Sequence, residues 1–171
     1  MTHKILLIYT WFVRSLLFFA PDQPNIMRIR GWLYSLAMED CGFDFQVAHS
    51  ATLLSLEKLN VGDNVYIANN TSIFSNGGLT IEDGVLIAPG CVISTSNHTL
   101  EKGGFRFGKR EEKPVFIGAG SWVAANCTIV AGARLPKQSM LAANSCLTRQ
   151  FYKDCYMYAG VPANEVKNLG R

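Results

Sequence analysis

The chain has 171 residues, enough for one domain with a modest core. Its net charge of +3 comes without a basic run, which argues against a nucleic-acid partner. The five cysteines are scattered without metal-type pair spacing, and free thiols of this kind suit a reducing, cytoplasmic setting.

Residues 1–42 read as an N-terminal helical segment. Ile5 to Ala20 is apolar, with Lys4 ahead of it and Arg14 inside it. A charged start before an apolar run is the pattern of a signal peptide. Arg14, the bulk of Trp11, Phe12, Phe18 and Phe19, and the lack of a small-x-small cleavage site weigh against that reading. The run also falls short of the roughly 20 apolar residues that span a bilayer. Two readings stay open: an amphipathic helix packed on the rest of the protein or on a neighbouring subunit, and a helix lying on the inner membrane surface through residues 4–20. Pro21 and Pro24 end the segment, and Met27 to Asp40 predicts a second short helix stopped at Cys41-Gly42.

From residue 43 to 150 the chain counts in sixes. Val47, Leu53 and Leu59 read as a degenerate first coil. Aliphatics then fall at Val61, Ile67 and Ile73, at Ile81, Ile87 and Ile93, and at Ile117, Val123, Ile129, Leu135, Leu141 and Leu147. Neither a helix, repeating at about 3.6 residues, nor a solvated strand, repeating at two, gives a clean six. A six-residue period predicts a parallel β-helix, with three short strands and three corners making each coil of about 18 residues. Three positions after the aliphatics stand Asn64, Asn70, Asn76, Gly84, Gly90, Ser96, Gly120, Asn126, Gly132, Gln138 and Asn144. Most are Asn or Gly, the residues that tolerate the left-handed backbone of a sharp corner. One position further the side chains are small or slender, among them Val65, Thr71, Val85, Cys91, Ser121, Cys127, Ala133, Ser139 and Ser145, which predicts that they point into a narrow prism. Cys91 and Cys127 are therefore expected to be core fillers. The architecture predicted is β-dominated, with about five coils.

The rhythm breaks twice. Ile73 to Ile81 is two residues too long, at Asn76-Gly77-Gly78. After Ile93 a Lys-, Arg-, Glu- and Gly-rich insert at 99–114 leaves the prism for about 16 residues and returns at Pro114-Val115, as functional loops of solenoids do. His98 stands at the root of that loop, where a general base would be positioned on a rigid scaffold. An imidazole takes up and returns a proton near neutral pH. Residues 151–171 read as a C-terminal cap, with a turn at Ala159-Gly160-Val161-Pro162-Ala163 and a helical turn over Glu165 to Leu169.

Several segments resemble the left-handed β-helix hexapeptide-repeat acyltransferases. They are Gly78-Leu79-Thr80-Ile81, Val85-Leu86-Ile87-Ala88-Pro89-Gly90, Ser96-Asn97-His98, Pro114-Val115-Phe116-Ile117-Gly118, Ser121-Trp122-Val123-Ala124-Ala125-Asn126, and Ala159-Gly160-Val161-Pro162-Ala163. The likeness covers roughly residues 43–167 and is strongest to galactoside and maltose acetyltransferases and the polysaccharide O-acetyltransferases. It implies a left-handed coil, a homotrimer with sites between subunits, acetyl-CoA as donor, and no metal. It further implies acetyl transfer to a sugar hydroxyl, with His98 as general base. The N-terminal helix pair is similar to that of polysaccharide-modifying members, pointing to a surface polysaccharide or its precursor as acceptor.

The same resemblance implies CoA contacts at Trp122, Ala124, Ala125, Ala142, Ala143, Arg149, Val161, Pro162, Ala163 and Lys167. It implies acceptor contacts at Asn69 and Asn70, with Asn97 touching the acceptor or holding the His98 loop. The sequence departs from the usual wording at Val123-Ala124 and at Arg134-Leu135-Pro136-Lys137, corners where CoA contacts would differ. Rival readings are a non-catalytic β-helix used as a scaffold or binding module, and an acetyltransferase for a small non-sugar acceptor such as serine or a xenobiotic. A zinc carbonic anhydrase would need three converging histidines, and only His3, His49 and His98 exist.

Overall fold

The computed structural model describes residues 3–170. Helices α1 (His3–Leu16) and α2 (Pro24–Ser35) lead into a parallel solenoid with three walls. The first wall is built from Asp40–Cys41, Leu59–Val61, Leu79–Ile81, Val115–Ile117 and Arg134–Leu135, in that order. The second stacks Gln46–Val47, Tyr66–Ile67, Leu86–Ile87, Trp122–Val123, Met140–Leu141 and Tyr156–Gly160; the third stacks Thr52–Leu54, Ser72–Phe74, Val92–Ser94, Thr128–Ile129 and Cys146–Leu147. Five coils are complete and a sixth is begun, so the expected β-dominated solenoid stands.

Inside, the hexad aliphatics stack on themselves, as the pairing Ile67 with Ile87 and Ile87 with Val123 shows. All are essentially buried, as are the nine slender residues beside the corners. Burial of a Leu or Ile side chain contributes about 1.5–3 kcal/mol, so this column is the main source of cohesion. Cys91 and Cys127 lie in it as expected, donating from Sγ to the Ala124 and Ala142 carbonyls. Burial pushes the Cys91 thiol up to about 11.

Left-handed backbone occurs at the predicted Asn64, Asn70, Gly84, Gly90, Gly120, Asn126, Gly132, Gln138 and Asn144. Asn76 and Ser96 differ. Gly78 makes the left-handed turn in place of Asn76, because the two extra residues move the corner, and Ser96 already belongs to the large insert. The first coil carries the same extra pair: Leu53 to Val61 is eight positions, as is Ile73 to Ile81, and Val61 pairs with Ile81. Cys41, and not Leu59, therefore holds the first-wall position of the first coil, and Val61 stacks on it to open the second, although Leu59 is also buried over Leu79. Up to Leu147 the corner from third to first wall thus holds every departure from the six-residue count. Buried hydroxyls line it: Ser75 Oγ donates to the Leu54 and Ser55 carbonyls, and Thr95 Oγ1 donates to the Phe74 carbonyl and accepts from Gly77 N–H.

Two terminal expectations are corrected. The second helix stops at Ser35, and Asp40–Cys41 already pairs with Asn60–Val61. Glu165 to Leu169 is not helical: Ala163–Asn168 returns antiparallel to Tyr156–Gly160 and satisfies the last edge of the second wall. The turn between them contains the cis Val161–Pro162 bond.

Candidate functional site

The corner between second and third walls carries a ladder of alanines: Ala48, Ala68, Ala88, Ala124 and Ala142. Each donates its N–H to the next coil, the last to the Tyr158 carbonyl. Ala124 is almost fully buried, whereas Ala125, Ala142 and Ala143 keep some exposure. A smooth, side-chain-poor edge results. Asn69 and Asn70 lie two coils earlier on the same edge, Asn70 with φ of 58° at the corner itself. The proposed acceptor asparagines and the alanines thus share one edge of the prism.

Asn69 is not free-standing. Its Nδ2 donates to Asp22 Oδ2 at 2.6 Å, and the other neighbours of that carboxylate are His49 and Arg30. His49 Nδ1 lies 2.7 Å from Asp22 Oδ2 and its backbone N–H donates to Oδ1 at 2.7 Å. Arg30 is 1% exposed and donates to Asp22, to the Val47 carbonyl, and to the carbonyls of Leu17 and Ala20. Burial raises the Asp22 pKa, but the hydrogen bonds from His49 and Asn69 outweigh it, so the carboxyl stays below its ordinary range. This Asp22–Arg30–His49 group was not visible in the sequence. Its members are contributed by the inter-helix turn, α2 and the first coil, and no local spacing links them.

His98 lies across the third wall from that edge. It is exposed at the end of the strand Ser96–His98, which pairs antiparallel with Arg110–Glu112 so that His98 faces Arg110. The insert is therefore a hairpin, and it leaves the prism at Ser96 rather than at 99. Its root is braced: Lys113 N–H donates to the Thr95 carbonyl, and Lys58 Nζ bridges the Asn76 carbonyl and Glu112. Among the described residues the His98 ring has no hydrogen-bond partner. Asn97, opposite Glu111, is exposed on the same strand. Within one chain His98 and Asn69 do not meet, since the extended run from Cys91 to Ser94 alone spans roughly 10 Å.

The remaining candidates scatter along the outer surface. Trp122 is half exposed on the second wall, stacked between Leu86 and Met140. Arg149 is exposed; its guanidinium reaches the Asn164 side chain and lies 5.1 Å from the Phe151 ring centroid. Val161 and Pro162 project at the turn, Lys167 is exposed opposite Met157, and the Ala163 methyl is buried in the core. Within this chain Ala163 therefore offers no exposed surface to a ligand. The three histidines are dispersed: His3 pairs with Glu57, His49 with Asp22, and His98 sits on the hairpin.

No protein-family model matches the chain. Galactoside O-acetyltransferase of Escherichia coli is 27% identical over 111 residues, 65% of this chain and 54% of that protein. The chain spans about half the length of the curated relatives it matches. Among solved structures, a hexapeptide-repeat acetyltransferase of Vibrio cholerae complexed with acetyl-CoA superposes with a TM-score of 0.79 at 21% identity, covering 98% of this chain and 89% of that one. A galactoside acetyltransferase in complex with CoA gives 0.79 at 22%, covering 96% and 82%. The shared fold is the left-handed β-helix.

Proposed function

We propose that this chain, whose sequence and fold resemble the hexapeptide-repeat acetyltransferases of galactoside and maltose type, moves an acetyl group from acetyl-CoA to a sugar hydroxyl. The observation that carries the reading is His98: an exposed imidazole at the braced root of the one long insert in an otherwise regular solenoid. A sugar hydroxyl is almost never ionised at neutral pH, so its oxygen needs a base at hydrogen-bonding distance. His98 removes that proton as the oxygen attacks the thioester carbonyl carbon. The tetrahedral adduct collapses with cleavage of the C–S bond, and the imidazolium returns its proton to the departing thiolate. A backbone N–H or a Ser or Asn group near the coil face would donate to the oxyanion.

The separation of His98 from the alanine edge supports a homotrimer, in which one subunit presents His98 to the Asn69 and alanine edge of the next. CoA would lie along Ala124, Ala125, Ala142 and Ala143, beside Trp122. Its phosphates would fall within reach of Arg149 and Lys167, and its adenine against Val161 and Pro162. Asn69, Asn70 and Asn97 would orient the acceptor, a surface polysaccharide or its precursor.

The test is thiol release from acetyl-CoA with a panel of sugars and oligosaccharides. Wild type should show acceptor-dependent release, and His98→Ala should lose about 10²–10⁴-fold in kcat. Absence of CoA binding and of release with every hydroxyl acceptor would favour the scaffold reading. Release with serine or a xenobiotic alone would favour the small-acceptor reading. Full activity of His98→Ala would remove the base assigned here.

A further inference from the structure

We propose that α1 docks the protein on an anionic membrane surface through the face it turns away from the solenoid. A surface helix ordinarily buries one stripe and presents a polar one. Here the inward stripe is Leu6, Thr10 and Val13, all buried against the first coil and α2. At 3.6 residues per turn the positions opposite that stripe include Ile8, Trp11 and Phe12, with Ile5 and Leu16 at their flank. Ile8 and Trp11 are 67% exposed and Phe12 55%, and Phe19, just beyond the helix, is 92% exposed. The helix is apolar on both sides, and only one side is covered.

Charge selects the occupant. The helix contains no acidic residue; Lys4 is exposed beside Ile8 and Trp11, while Arg14 is half-buried at the edge of the inward stripe. An interfacial helix of this kind sinks aromatic and aliphatic side chains to the level of the lipid headgroups while its cations meet anionic lipid. A second copy of the chain would set the same face against itself, bringing cation to cation with no carboxylate on the helix to pair them. At about 1.5 Å per residue the 14-residue helix is about 21 Å long, too short to cross the hydrocarbon core. No helix among the described residues is long and apolar enough to do so.

The experiment is co-flotation of the full chain with vesicles of phosphatidylcholine alone and of phosphatidylcholine with phosphatidylglycerol. The mass of the protein in solution is measured in parallel by light scattering. Wild type is expected to float with the mixed vesicles and much less with the neutral ones. The Ile8→Ser/Trp11→Ser/Phe12→Ser variant should bind at least about tenfold more weakly. Lys4→Glu should weaken binding to the anionic vesicles selectively. Far-ultraviolet circular dichroism and the melting temperature of the triple variant control for folding, since none of the three side chains is buried. Failure of wild type to float, or undiminished flotation of a folded triple variant, overturns the proposal. So does a fall in the mass of the soluble assembly on triple substitution without wild-type vesicle binding, which would make the face a subunit contact.

Discussion

Arg30 and Arg28 lie two positions apart on α2, and substituting each should give opposite results. Arg30 is 1% exposed, and its guanidinium holds the Asp22 carboxylate together with the carbonyls of Val47, Leu17 and Ala20. Arg30→Met keeps most of the side-chain volume but leaves those acceptors without their donor in a buried site. Breaking a buried pair from one side costs about 3–5 kcal/mol; Asp22 keeps its hydrogen bonds from His49 and Asn69, so the loss falls chiefly on the stranded Val47, Leu17 and Ala20 carbonyls. Taking about 4 kcal/mol, with about 2–4 °C per kcal/mol for a chain of this size, the melting temperature should fall by about 8–16 °C. Arg28 also binds an aspartate, Asp44, but its side chain is 45% exposed, and solvent screens a surface pair of that kind so that it contributes little. Arg28→Ala should therefore move the melting temperature far less than Arg30→Met. Urea unfolding followed by circular dichroism, together with differential scanning calorimetry, measures both. If Arg30→Met stays within about 1 kcal/mol of wild type, or Arg28→Ala costs as much as Arg30→Met, then the guanidinium is not the clamp holding the helix pair to the first coil.

Two further outcomes follow from other parts of the structure. A Cβ added at Gly118 would stand 2.6 Å from Lys137 N and 2.8 Å from the Pro136 carbonyl carbon, both backbone. Gly118→Ala should thus separate two coils locally and cost about 1–3 kcal/mol in urea unfolding, whereas Gly104→Ala, with open space around it and no left-handed backbone, should be mild. The lowered pKa of Asp22 gives stability that is fully present above the ordinary carboxylate range and is lost as pH falls through the lower folded value. Melting temperatures taken from about pH 6 to 2 should therefore drop more steeply for wild type than for Asp22→Asn. Parallel curves would remove Asp22 from the acid response.

The fold was legible because a solenoid writes its geometry locally: each wall contributes one aliphatic and each corner one Asn or Gly, so the register of Ile67, Ile87 and Val123 can be counted along the chain. The same locality explains the errors. Asn76 and Ser96 satisfied the count on paper, but inserted residues had already moved the corner, and only the pairing of Val61 with Ile81 reveals this. Glu165 to Leu169 was misassigned because its strand exists to cover the edge left by Tyr156–Gly160, a demand made by the end of the stack rather than by its own sequence. His98 could be singled out by its place at a break in the rhythm. Asp22, Arg30 and His49 could not, since the contact between Asp22 and His49 joins residues 27 positions apart and crosses from the helices to the first coil.

The hairpin is a seam as well as an arm. Three coils precede it and two follow, and the two blocks meet through parallel pairings on all three walls: Ile81 with Ile117, Ile87 with Val123, and Ile93 with Ile129. The only covalent link between the blocks at that level runs out along Ser96–His98 and back along Arg110–Glu112. A chain opened at Gly103-Gly104 would yield two fragments that each end on a wall of unpaired strand edges complementary to the other. The protein is in this sense already divided into two halves that could be supplied separately and rejoin by stacking alone.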